Sequence, residues 1–88
     1  MALKATKTRV PESITGIAKM MEMETAEIRA WPHLKDVRDA IKDYNLGYII
    51  KQRLVSRLND IATKNSEDNL IHYAMGIENM ITSINLTY

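Results

Sequence analysis

Near the C-terminal end, Leu70, Ala74, Ile77, Ile81 and Ile84 recur at spacings of four, three, four and three, one continuous apolar stripe along an α-helix. A chain with such a stripe has to cover it with another apolar surface, and the preceding segments offer the same period. Ser66 can accept hydrogen bonds from the first free amides, while Glu67 and Asp68 put negative charge on the first turn. The spacing therefore predicts a helix over residues 66–84.

The upstream chain divides at its helix breakers. Residues 1–10 carry Lys4, Lys7 and Arg9 without an apolar period and read as a flexible basic N-terminal arm, leaving 11–88 as a single helical domain. Pro11 suits a first helical turn because its missing amide donor costs nothing there. A first helix is predicted over 12–29, with Ile14, Ile17, Met21 and Ile28 on one face and Gly16 as a weak point. Trp31-Pro32 ends it, since the residue before a proline is pushed out of the α region. Leu34, Val37, Ile41 and Tyr44 predict a second helix over 33–44. The stripe of Leu46, Ile50, Leu54, Leu58 and Ile61 runs on a different phase, which predicts a turn at Asn45-Leu46-Gly47 and a third helix over 47–62. One long helix through Gly47 is the competing reading. Thr63-Lys64-Asn65 reads as a short polar turn before Ser66. The expected fold class is all-α, a small bundle of three or four helices, up-and-down or orthogonal.

Length and composition narrow the chemistry. A chain of 88 residues makes one domain and buries only about 60–65% of its unfolded surface, so its core is thin. There is no cysteine, which removes disulfides and thiolate chemistry. No apolar run approaches the ~20 residues needed to cross a bilayer, and no h-region follows the basic N-terminus. No membrane partner and a cytoplasmic setting are expected, the latter in a bacterial or phage accessory protein. His33 and His72 lie far apart, and neither belongs to a metal-binding motif. Ser13, Ser56, Ser66 and Ser83 lack a strand-to-helix elbow, and Gly16, Gly47 and Gly76 are too dispersed to cradle a phosphate. No enzyme, cofactor, metal or small-molecule substrate is expected.

Two classes of partner remain. The net charge of +1 conceals blocks of opposite sign. Residues 12–32 hold four acids against two bases, 33–64 seven bases against four acids, and 65–88 three acids and no base. Lys51, Arg53, Arg57 and Lys64 decorate the third predicted helix, and the arm adds Lys4, Lys7 and Arg9. Together they could neutralise several phosphates of DNA or RNA, although interleaved aspartates look like ordinary solvated surface. The preferred reading is protein contact by an adaptor, inhibitor or assembly module. The six methionines serve either as core gap-fillers or as an adaptable face. Met20, Met23, Tyr44, Tyr48 and Ile49 exceed what one stripe per helix requires. Trp31 is either a packing residue at a helix junction or a binding hot spot. A homodimer would bury these flanks and oppose the acidic and basic blocks.

Ile77→Asp tests the organising stripe. A charge there is expected to cost well over 2 kcal/mol and unfold the domain, read as loss of the far-ultraviolet helical signal or a sharp fall in melting temperature. An unchanged melting temperature would show that the stripe is not buried.

Overall fold

The structure, a computed structural model, describes residues 9–88. Among them are five α-helices: α1 (Ile14–Met21), α2 (Thr25–Arg29), α3 (Leu34–Asn45), α4 (Lys51–Glu67) and α5 (Ile71–Thr87). The all-α class holds, but the expected count of three or four helices does not, because the segment predicted as one helix over 12–29 is two.

That division has a local cause. Glu22 adopts a left-handed conformation (φ 59°), and the amides of Glu22 and Met23 turn back to the carbonyls of Lys19 and Ala18. This paired closure ends a helix. The side chain of Glu27 then accepts the Glu24 amide at 3.2 Å, half of a capping box that starts α2. The N-terminal boundary moves as well. Ser13, not Pro11, begins α1, with its Oγ accepting the Gly16 amide at 3.0 Å. Pro11 folds back onto Gly16, where an added Cβ would collide with the proline Cβ. Gly16 thus makes room for a close approach and is more than a weak point in the helix.

The turn expected at Gly47 is present. Gly47 has φ 86°, its amide reaches Tyr44 O, and the Tyr48 amide reaches Asp43 O, the same paired closure. The next boundary is a correction. Thr63, Lys64 and Asn65 do not form a turn, and Ser66 does not cap the last helix, because all four lie inside α4. Their polarity is satisfied without leaving the helix. Thr63 Oγ1 donates to Asn59 O at 3.0 Å, and Asn65 Nδ2 donates to Ile61 O at 2.7 Å. The chain turns instead at Asn69 (φ 63°), with the Leu70 amide on Asn65 O at 2.7 Å. Leu70 takes the N-cap position of α5.

Contacts between helix ends give the topology. His33 Nε2 lies 3.7 Å from Asp68 Oδ2, and Arg57 Nη1 lies 2.8 Å from Asp43 Oδ2, so α3 and α4 run antiparallel. Asn79 Nδ2 donates to Met21 O at 3.4 Å, while Tyr44 OH donates to Tyr88 O at 3.4 Å. The helices α1, α3, α4 and α5 alternate up and down, and α2 links α1 to α3 across one end. Packing is densest between α4 and α5 and between α1 and α5. Central α5 therefore buries Tyr73, Ala74, Gly76, Ile77, Met80 and Ile84 along one broad face.

One polar residue lies within this core. Asn65 is fully buried, and its Oδ1 accepts the Trp31 indole N–H at 2.8 Å. Trp31 stacks on Tyr73 with ring centroids 5.0 Å apart, and Tyr73 OH donates to Glu27 O at 2.7 Å. The junction after α2 is thereby tied to the end of α4 and the start of α5. Trp31→Phe should cost about 2–4 kcal/mol, from lost packing and the orphaned amide oxygen. Combining it with Asn65→Leu should lose at least about 1 kcal/mol less than the two single changes added. Urea unfolding of the four proteins measures the coupling, and strictly additive losses would show that the bond carries no stability.

Candidate interaction surface

The candidate interface residues separate once the core is formed. Met20, Trp31 and Tyr44 belong to the core, at 7%, 3% and 4% exposure. Met23 and Ile49 are half-buried against it. Only Tyr48 stands clear, at 75%. Periodicity identified apolar side chains beyond one stripe but could not show that central α5, covered on two sides, would absorb so many.

Tyr48 is not alone. Leu46 and Ile50 are 50% and 65% exposed, so three large apolar side chains project from the five-residue α3–α4 connection. The backbone dictates this arrangement. After left-handed Gly47, the residue at Tyr48 usually packs against the helix it leaves, but the facing position here is Asp43. The carboxylate of Asp43 is taken by Arg57 at 2.8 Å, leaving Tyr48 no apolar partner there. Ile50 then occupies the N-cap of α4 without a side-chain capping bond, a position that ordinarily favours Ser, Thr, Asp or Asn. An apolar residue has displaced a stabilising one at this exposed corner. Lys42, one turn before Leu46, and Lys51 and Arg53, just after Ile50, surround the corner with positive charge. The spacing of Leu46 and Ile50 fits the α4 stripe and predicts burial for both. The non-helical backbone at Gly47 takes them off it.

A second apolar surface lies near the opposite end. Ile71 and Met75 on α5 are 54% and 61% exposed, one turn apart. Met75 borders a groove of about 270 Å³ with Met21, Met23 and Gly76, and Glu27 and His72 stand at its edge. A Cβ on Gly76 would meet Met23 Sδ at 2.8 Å and Met21 Cε at 2.9 Å, so the methionines occupy the space the glycine leaves. His72 has Nε2 3.9 Å from Glu27 Oε2 and its ring against Tyr73. His33 is the histidine near Asp68.

The basic residues are dispersed. Lys4 and Lys7 lie outside the described residues. Arg9 is 3.7 Å from Glu12, and next to it Val10 is buried, its amide and carbonyl both bonded to the Asn45 side chain at 2.9 and 2.8 Å. Arg57 is engaged with Asp43 and Lys35 with Asp39 at 3.1 Å. Lys51 is half-buried, while Arg53 and Lys64 are exposed, nearly the length of α4 apart. A depression of about 280 Å³ brings Lys35, Arg38 and Lys42 together, but Glu12 and Asp39 share it.

Among the described residues, no group of three or more His, Cys, Asp or Glu side chains is placed to hold a metal ion. No described helix is long and apolar enough to cross a membrane. The chain is a small all-α globular protein in which the described residues assemble no recognisable catalytic constellation. Comparison with protein-family models, curated proteins and solved structures found no match.

Burial raises the pKa of Tyr73 above 10.0, and the nearby Glu27 carboxylate raises it further. The folded state therefore holds the phenolic proton longer than the unfolded chain does. The associated stability is complete below pH 10 and is lost as pH rises from there through the folded pKa. Tyr73→Phe should flatten the alkaline fall in unfolding free energy by up to one proton's slope, about 1.4 kcal/mol per pH unit. Parallel denaturant titrations of wild type and variant between pH 9 and 11 measure it, and identical slopes would contradict the burial effect.

Proposed function

We propose that this protein is a non-enzymatic helical interaction module, of the adaptor, inhibitor or assembly kind, and that the α3–α4 corner is its docking surface. The carrying observation is the exposed cluster of Leu46, Tyr48 and Ile50 on a turn held by backbone hydrogen bonds. Three large apolar groups in water are a cost that a monomer has no reason to retain, and an aromatic at their centre is a common interface anchor. Lys42, Lys51 and Arg53 around them favour an acidic protein surface. The cysteine-free composition fits a reducing compartment such as the cytoplasm.

A second copy is the simplest partner, given the opposed charge blocks. The dimer inferred from flanking residues loses much of its basis, since Met20 and Tyr44 are core. DNA or RNA binding is the weaker alternative, because Arg57 and Lys35 are already paired and acids share the depression where Lys35, Arg38 and Lys42 meet. A photoreactive amino acid at position 48 should form protein crosslinks in cells, whereas the same group at exposed Lys19 should not. Crosslinks chiefly to nucleic acid would favour the alternative, and equal labelling at both positions would remove the corner as a docking surface.

A further inference from the structure

We propose that the α3–α4 corner of one copy docks into the methionine groove between α1 and α5 of a second copy, joining chains head to tail. This rests on the reading of the corner as a protein-docking surface and adds the identity of the occupant. The two surfaces match in chemistry. The corner offers Leu46, Tyr48 and Ile50 inside a basic surround, while the groove offers Met21, Met23 and Met75 beside acidic Glu22 and Glu27, with exposed Ile71 one turn from Met75 on α5. Methionine side chains adapt to an aromatic guest and make favourable sulfur–ring contacts. His72 is the one base lining the groove, and it already lies 3.9 Å from Glu27.

Position decides that the contact is between copies. The corner lies at the start of α4 and the groove beside the start of α5, which follows the other end of α4. The 17 residues of α4 separate them by about 25 Å, so a corner cannot reach its own groove. Charge decides the pairing. A two-fold contact of corner on corner would set Lys42, Lys51 and Arg53 against their own copies, and groove on groove would do the same with Glu22 and Glu27. Corner on groove opposes unlike charges. Since every chain retains one free surface of each kind, the contact is heterologous and repeats, closing into a ring or continuing as a filament. A three-residue corner belongs to the small, transient class of interface, under about 1,200 Å² in total, so association should appear at tens to hundreds of micromolar.

The test uses one blocked surface at a time. Tyr48→Glu removes the corner, and Met75→Glu removes the groove; both residues are largely exposed, so the fold should survive, with circular dichroism as control. Ile50→Glu and Ile71→Glu serve as second variants. Sedimentation equilibrium should show wild-type assemblies larger than two chains at high concentration. Each variant alone should remain at 10.1 kDa. An equimolar mixture should form a complex of two chains and stop there, because its remaining surfaces are both blocked. Mixed variants that stay monomeric would overturn the proposal, as would self-association of Met75→Glu matching wild type, which would mean corner-to-corner contact. A strictly monomeric wild type would overturn it too. If position 48 still crosslinks to another protein in that case, the docking corner survives and only the second copy fails as its occupant.

Discussion

The junction of α2, α4 and α5 turns on a buried hydrogen bond, from the Trp31 indole to the Asn65 amide oxygen at 2.8 Å. A polar side chain in a core this thin is tolerated only if its groups find partners, and Asn65 finds them on both sides. Its oxygen accepts from Trp31 and its nitrogen donates to Ile61 O. Its backbone carbonyl receives the Leu70 amide that turns the chain into α5. One residue thus joins the α2–α3 junction, the end of α4 and the entry to α5. The stack of Trp31 on Tyr73 and the Tyr73 bond to Glu27 O extend the same arrangement to α2.

Three left-handed residues determine where α1, α3 and α4 stop. Glu22, Gly47 and Asn69 each close a helix with two reversed backbone bonds. Asn tolerates this conformation and glycine is free in it, but Glu pays steric strain of about 1–2 kcal/mol. The bend at Glu22 sets the end of α1 against Gly76 and creates the methionine groove. The bend at Gly47 lifts Leu46, Tyr48 and Ile50 off the core. Both candidate surfaces therefore result from helix termination, with side-chain chemistry then determining their polarity.

The charge blocks acquire geometric meaning in this arrangement. The basic stretch over 33–64 spans α3 and most of α4, and part of it is neutralised internally through Arg57–Asp43 and Lys35–Asp39. What remains near the corner is Lys42, Lys51 and Arg53, beside exposed apolar groups. The acids of α1's end and α2 border the groove near the other end. Lys64 and Lys35 lie toward that same end, so the charge blocks of the sequence are only partly separated along the bundle.

Local spacing made the all-α class, the breaks at Trp31-Pro32 and Gly47, and the buried stripe of α5 legible, because each depends on residues within one or two helical turns. Ile77, fully buried, lies at the centre of that stripe. The remaining features depended on contacts between distant residues. Thr63 to Asn65 resembled a loop because nothing nearby shows that Trp31, 34 residues away, partners Asn65. The helix over 12–29 looked continuous because the space beside Gly76 that receives Met21 and Met23 belongs to α5. Met20 and Tyr44 looked surplus because the sequence does not reveal that α5 is enclosed by both α1 and α4. Sequence alone determined which faces must be buried, through periodicity and the cost of exposing apolar area. Tertiary structure decided which apolar residues stay in water, because coverage depends on which helices become neighbours and where left-handed turns release the chain.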